Sequence, residues 1–138
     1  MIDFIVKNQR NNVEIVEEAK ITTYDLPLMR VLHRYARMTL TSIAARIEAT
    51  KKQFHWQSKV PIYLGKDLLL IPIKSLRSPH TLLVNFYAIK STQKKNSQEI
   101  EIIFIDSIHK TIGNANLFRK QLIRCHVLDL FILESESK

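Results

Sequence analysis

The segment LLVNFYAIKSTQKKNSQEIEIIFI, residues 82–105, decides the fold of this chain. Two largely apolar runs, Leu82–Ile89 and Glu99–Ile105, stand on either side of the polar stretch Lys90–Gln98. β-Branched and aromatic residues favour strands, and a polar connection between two such runs favours a turn. The segment therefore predicts an antiparallel hairpin.

Other strand patterns surround this hairpin. Asp3–Val6 and Val13–Tyr24 alternate enough to predict a first strand pair, joined at Asn11-Asn12. Phe54 and Trp56 alternate with polar neighbours, which predicts a strand there as well. The remaining strands are predicted at Val60–Leu64, at Leu68–Ile73, where Pro72 marks a strand end or edge, and, after a turn at Asp106–His109, at Lys110–Ile112.

Two helices are predicted. Asp25 and Pro27 indicate a helix start, and apolar residues then repeat at helical spacing from Leu28 to Met38. Asn114 or Asn116 caps a final helix that reaches toward Leu133. We therefore expect one α+β domain over residues 1–138: an antiparallel β-sheet with one helix in the N-terminal half and one C-terminal helix.

The composition argues against an enzyme and against a metal or cofactor site. With only two glycines, a Gly-rich phosphate loop or dinucleotide fingerprint is excluded. The five histidines are scattered, without the spacing of a metal site. The single cysteine, Cys125, suits a reducing compartment and is expected to be inert core. No apolar run is long enough to span a membrane, and no signal peptide is evident, so we expect a cytoplasmic protein.

Positive charge is concentrated in the middle of the chain. Leu26–Lys95 contains thirteen Lys or Arg and two acidic residues, whereas the flanking segments are slightly acidic. Such a concentration favours a surface that neutralises phosphates. An anionic membrane surface or an acidic protein partner is the weaker explanation. The candidate nucleic-acid-binding residues are Arg30, Arg34, Arg37, Arg46, Lys51, Lys52, Lys59, Lys74, Arg77, Lys94 and Lys95.

Arg30, Arg34 and Arg37 fall together on the face of their helix opposite its apolar stripe. They are either an ordinary solvated face or a second phosphate-contacting patch. Trp56, close to Lys51, Lys52 and Lys59 in sequence, is either a core residue or an exposed stacking or wedge residue, and the core interpretation is favoured.

The final helix has two apolar stripes. Phe118, Leu122, Cys125 and Ile132 lie on one side, and Ile123, Val127 and Leu130 lie roughly opposite. A helix that is apolar on two sides needs cover on both. The second stripe is therefore either buried under the N-terminal strands or forms the interface of a homodimer.

Three segments resemble the competence transcription factor ComK family. They are TSIAAR at residues 41–46, LLIPIKS at residues 69–75 running into Ser78-Pro79, and NLFRKQLIR at residues 116–124. Their order and spacing, together with Pro61, are similar to the family's over about residues 41–128. The resemblance implies a DNA-binding regulator that recognises A·T-rich duplex DNA largely through the minor groove, self-associates, and can be delivered by an adaptor to a Clp protease.

We therefore predict a regulator that binds double-stranded DNA, associated with the nucleoid. Two other classes stay open. One is an RNA- or ribosome-associated binding module, for which Phe54, Trp56, Phe86 and Tyr87 would supply some stacking surfaces, although Phe86 and Tyr87 are expected on opposite faces of their strand. The other is an adaptor or decoy that acts through the C-terminal helix.

Overall fold

The computed structural model describes residues 1–8 and 12–136. In chain order the elements are β1 (Ile2–Lys7), β2 (Val13–Glu17), β3 (Lys20–Tyr24), α1 (Leu28–Met38), α2 (Ile43–Phe54), β4 (Ile62–Tyr63), β5 (Leu69–Pro72), β6 (Thr81–Asn85), β7 (Ile89–Lys94), β8 (Ile100–Phe104), β9 (His109–Ile112) and α3 (Ala115–Glu136). All strand pairs are antiparallel. The predicted α+β class with a C-terminal helix is confirmed.

The strands form a large sheet of order β3-β2-β1-β6-β5-β4 and a small sheet of order β7-β8-β9. Successive side chains of a strand point to opposite faces, so the register assigns each residue to one side. Ile5 on β1 lies between its partners Ile15 and Leu83, and all three face the first core. The next residue back, Phe4, faces the second core with its partner Val84. The large sheet therefore buries both of its faces.

Each face of the large sheet has its own cover. The first core is closed by α1, whose Val31, Leu32 and Ala36 are almost inaccessible to solvent. The second core is closed by the small sheet and α3, which contribute Phe104 and Phe118. The protein thus has three layers: helices α1 and α2, the large sheet, and the small sheet with α3.

The predicted strand at Phe54 and Trp56 is wrong, and the N-terminal half contains two helices rather than one. Residues Ile43–Phe54 form α2, because Ser42 caps it by accepting a hydrogen bond from the Ala45 N–H at 3.1 Å. Its inward face repeats at i, i+4 and i+7, with Ile43 and Thr50 buried and Ile47 packed on the first core. The alternation of Phe54 and Trp56 was misleading because Phe54 is the last residue of this helix and Trp56 lies beyond its end.

The predicted hairpin between residues 82–89 and 99–105 is partly wrong. β6 belongs to the large sheet and ends at Asn85, whose side chain accepts hydrogen bonds from the N–H groups of Leu69 and Tyr87. A single 3₁₀ turn at Phe86–Ala88 then carries the chain into the small sheet. There β7 pairs with β8, so the strand extends to Lys94 through most of the predicted loop.

The N-terminal strand pair and the final helix follow their patterns with smaller changes. Val13–Tyr24 forms two strands instead of one, because the chain reverses at Glu18 and Ala19, which have φ values of 50° and 64°. Of the predicted junction Asn11-Asn12, Asn11 lies outside the described residues. The cap at Asn114 is confirmed, since its Oδ1 accepts the Leu117 N–H at 3.4 Å. α3 extends beyond Leu133 to Glu136.

Candidate nucleic-acid interface

Three of the predicted basic residues meet at one groove. Lys51 from α2, Lys59 from the segment after it, and Arg77 from the β5–β6 loop line a groove of about 360 Å³. Its apolar wall includes Ile47 and Val60, and none of its described lining residues is acidic. The fold therefore brings residues from three segments together in one cationic groove. Such a groove focuses the field of its positive charges and so attracts anions.

Helix α3 fixes the segment that carries Lys59. His55, the residue that follows α2, adopts the left-handed conformation with φ 58°, and Lys59 also has a positive φ of 50°. The buried amide of Gln121 donates from Nε2 to the Lys59 carbonyl at 2.6 Å, and Arg124 Nη1 donates to the Ser58 carbonyl at 3.0 Å. The backbone of this groove wall is thus held by hydrogen bonds to the opposite layer.

The loop that carries Lys74 and Arg77 is internally braced. The Ser78 N–H donates to the Ser75 carbonyl at 3.0 Å, and the Arg77 N–H donates to Ser75 Oγ at 3.3 Å. At the base of the loop, the Thr81 hydroxyl donates to the Lys74 carbonyl at 3.1 Å. A loop ordered before binding loses less conformational entropy when it binds. Both basic side chains are exposed.

The three arginines of α1 are exposed, as predicted. Arg34 places its guanidinium carbon 5.6 Å from the centre of the Tyr24 ring. Within residues 1–8 and 12–136, no ion pair involves Arg30, Arg34 or Arg37. This patch is therefore an unpaired cationic helix face, on the layer that also carries α2.

Arg46, like Lys51, is less accessible than the other candidates. It is half-buried, with its guanidinium carbon 5.4 Å from the centre of the Tyr63 ring, and its Nε is buried without a hydrogen-bond partner. Its stem packs between α2 and α3, in a small groove lined by Tyr63 and Phe131. Lys52, on the same helix, is exposed.

Lys94 and Lys95 do not line the groove of Lys51, Lys59 and Arg77. Lys94 ends strand β7 in the small sheet, so it does not sit in a loop as predicted. Lys95 Nζ lies 3.4 Å from a Glu101 carboxylate oxygen and is thus already paired. Both side chains are exposed.

The four aromatic residues considered for base stacking pack against the second core. Trp56 is half-buried and stacks on Phe54 with ring centres 4.6 Å apart, and the Arg124 guanidinium carbon lies 5.1 Å from its ring. Phe86 and Tyr87 lie in the 3₁₀ turn rather than on opposite faces of a strand. The Tyr87 hydroxyl donates to Asp129 Oδ1 at 2.7 Å, and burial raises its pKa.

A second cationic groove was not predicted. It has a volume of about 250 Å³ and is lined by Lys7, Lys74, His80 and Lys110 around an apolar floor. Lys7 and Lys110 were missed because they lie outside the basic segment Leu26–Lys95. The strand register brings them in: Lys7 on β1 pairs with Thr81 at the start of β6.

The sequence also did not predict a pair of interacting carboxyl groups. Asp3 is buried on β1 and hydrogen-bonds to Asp106 in the β8–β9 turn. Burial, and then the Asp106 hydrogen bond and charge, raise the pKa of Asp3 from 3.8 to about 7, while the bond from Asp3 lowers the pKa of Asp106. Below about pH 7 Asp3 is therefore the protonated donor of this pair.

The second stripe of α3 is exposed, so the expectation that the N-terminal strands bury it is wrong. Ile123, Val127 and Leu130 are 66%, 43% and 60% exposed. Cys125, on the opposite side, is fully buried, and burial raises the pKa of its thiol, as expected for an inert core cysteine.

In residues 1–8 and 12–136, no group of three or more His, Cys, Asp or Glu side chains is arranged to hold a metal ion. Over the same residues, no helix is both long enough and apolar enough to cross a membrane.

These features define a class: an α+β domain with two cation-lined grooves beside one ordered loop. The sequence model of the ComK protein family matches residues 2–136. This chain belongs to the ComK family, and membership supports a role like that of a competence transcription factor. No curated protein and no solved structure gave a significant match.

Proposed function

We propose that this protein is a transcription regulator that binds double-stranded DNA, preferring A·T-rich sites, and that it acts on the nucleoid in the cytoplasm. The observation that carries the proposal is the groove where Lys51, Lys59 and Arg77 converge from three separate segments without an acidic residue. Phosphate neutralisation needs such unpaired cations. The positively charged surface also includes Lys52, Lys74 and the three arginines of α1.

A preference for A·T-rich sequences follows from the kind of side chain that the loop presents. Arg77 is exposed on an ordered loop. A-tracts have a narrow minor groove with enhanced negative potential, into which arginine inserts. Phosphate contacts by lysine position the protein, whereas this arginine would favour one sequence class.

Duplex DNA is favoured over single-stranded RNA by the state of the aromatic residues. Single-strand readers stack bases on aromatic side chains displayed together on a surface. Here Phe54 and Trp56 stack on each other, and Tyr87 is tied to Asp129. Freeing these rings for bases would break contacts that close the second core.

The salt dependence of binding tests the proposal. If five to seven of these bases contact phosphates, the slope of log K against log salt for an A·T-rich duplex is expected to be about −5 to −6. Fluorescence anisotropy from 50 to 300 mM salt, with single-stranded DNA and structured RNA of equal length as competitors, measures it. A slope near zero with retained binding contradicts the electrostatic mechanism.

Substitutions in the loop test the sequence preference. Arg77→Ala is expected to weaken A·T-rich sites more than mixed-sequence DNA. The matched control, Lys94→Ala with Lys95→Ala, is expected to lower both affinities equally because those residues would contact phosphates at most. An equal loss on both DNAs for Arg77→Ala refutes the A·T preference while leaving duplex binding intact.

We further propose a homodimer in which a second copy covers the exposed stripe Ile123, Val127 and Leu130. Exposed apolar patches of this kind mark association surfaces. The charge on α3 suits an antiparallel pair, because Lys120 lies seven residues before Val127 and Glu134 seven residues after it. A two-fold axis near Val127 would set the basic end of each helix against the acidic end of the other.

A further inference from the structure

The β5–β6 loop, residues 73–80, separates the two cationic grooves. Ser75, Leu76 and Arg77 line the groove that also contains Lys51 and Lys59. Ile73, Lys74 and His80 line the groove that also contains Lys7 and Lys110. Lys74 and Arg77, three residues apart, thus lie on opposite flanks of one ridge.

The second groove has the features of an anion site. No described residue that lines it is acidic. In the part of the chain that the structure describes, no ion pair involves Lys7, Lys74 or Lys110. Lys110 Nζ lies 5.4 Å from the centre of the Phe4 ring, so its stem is held against the sheet. Asp25 lines a neighbouring pocket together with Lys7, whereas no described acidic residue shares a pocket with Lys74 or Lys110.

A ridge between two cationic channels matches the form of a duplex groove, in which two phosphate backbones run on either side of the base edges. The minor groove of B-DNA is about 6 Å wide, which admits one loop but no helix. The loop 73–80 is braced at Ser75 and Thr81, so it can enter without first becoming ordered.

We infer that the loop 73–80 enters the duplex groove with one phosphate backbone in each cationic groove, and that Lys7 and Lys110 bind the second backbone. This inference rests on the proposed DNA binding. It adds two phosphate contacts from the two ends of the chain, where the sequence is otherwise slightly acidic.

The test replaces both lysines with glutamine, which keeps the stems but removes the charge. Lys7→Gln with Lys110→Gln is expected to reduce the magnitude of the salt slope by about 2 and the affinity at 0.15 M salt by roughly 10- to 30-fold, since each phosphate contact contributes about 0.9 to the slope. The control is Lys20→Gln with Lys90→Gln, the same charge change at exposed positions of β3 and β7 that line neither groove. It is expected to change affinity less than about twofold and to leave the slope unchanged.

The outcomes separate this inference from the proposed function. If the unmodified protein shows no salt-dependent duplex binding, DNA binding itself is wrong. Suppose instead that the unmodified protein binds duplex DNA and Arg77→Ala weakens the binding, but the variant with Lys7→Gln and Lys110→Gln behaves like the control. The contact with the second backbone is then wrong, and the proposed DNA-binding function is unaffected. A second test does not depend on the folding of a variant: the lysines of the unmodified protein are acetylated with and without duplex DNA, and the labelling is measured by mass spectrometry. Duplex DNA is expected to protect Lys7 and Lys110 from acetylation but not Lys20. Equal labelling with and without DNA also overturns the inference.

Discussion

Replacing Asn85 with alanine is expected to unfold much of the population, because this one side chain satisfies four buried or half-buried backbone groups. Its Nδ2 donates to the carbonyls of Ile2 at 2.7 Å and Asp67 at 2.8 Å, and its Oδ1 accepts the N–H of Leu69 at 3.0 Å and of Tyr87 at 3.3 Å. Asn85 itself is fully buried. Alanine removes the partner of all four groups, of which the Leu69 N–H and the Ile2 carbonyl bond Asn85 in fully buried contacts.

The magnitude follows from the number of orphaned groups. An unsatisfied buried polar group costs about 1–3 kcal/mol. The three shorter hydrogen bonds of Asn85, with the longer one to Tyr87 counted as weak, give a loss of about 3–9 kcal/mol. This is a large part of the roughly 5–15 kcal/mol that stabilises a domain. Asn85→Ala is therefore expected to shift the urea midpoint strongly while leaving the slope unchanged.

The chain supplies a matched control in Asn96. Its side chain makes three hydrogen bonds, to Gln98 N, Glu99 N and Glu99 Oε1, at 2.8, 2.8 and 2.9 Å, against the four of Asn85, but it is exposed. Asn96→Ala is expected to cost about 1 kcal/mol or less, because water replaces the lost partner. Equal losses for the two variants in urea denaturation would show that burial of the Asn85 network does not govern its contribution.

The remaining predictions concern acidity and association. The pKa of Asp3 is raised from 3.8 to about 7, so its stabilising contribution is complete below pH 3.8 and is lost as the pH rises to 7. Asp3→Asn is therefore expected to be the more stable form at pH 8, with the difference in stability closing at pH 4. Parallel stability curves for the two proteins, from urea denaturation across that range, refute the carboxyl pair with Asp106. Val127→Glu is expected to give a folded monomer in sedimentation at tens of micromolar, with a greater loss of DNA affinity than of stability. Lys120→Glu is expected to weaken the dimer and Lys120→Glu with Glu134→Lys to restore it, whereas a parent protein that is monomeric both alone and on DNA rejects the dimer.

Patterns that depend on side-chain periodicity over a long element were predictable. The apolar repeat from Leu28 to Met38 and the cap at Asn114 gave α1 and the start of α3 correctly. α2 was missed because Phe54 and Trp56 alternate locally, while Ser42, the residue that starts the helix, lies twelve positions earlier. The break after Asn85 was missed because its cause is tertiary: the side chain binds residues 16 and 83 positions away.

The candidate site divides in the same way. Charge density along the chain found Lys51, Lys59, Lys74 and Arg77, because neighbouring bases in sequence often share a surface. It gave no sign that Lys74 and Arg77 line different grooves. Lys7 and Lys110 could not be predicted from the sequence. Only the register of β1 with β6 and the position of β9 bring them beside the β5–β6 loop. The contact of Arg46 with Tyr63 cannot be read from the local sequence.

The two-faced burial of the large sheet has a consequence for synthesis on the ribosome. Once Asn85 has emerged, all six strands and both helices of the first core are available, so this half can collapse early. The other face of the sheet, which carries Phe4, Leu69, Ile71 and Val84, then stays exposed to water until β8 and α3 have been synthesised and cover it. A nascent chain that stalls before Phe118 would present a wide apolar sheet to its neighbours and be prone to aggregate. Shortening α3 is thus expected to leave the second face of the large sheet without part of its cover.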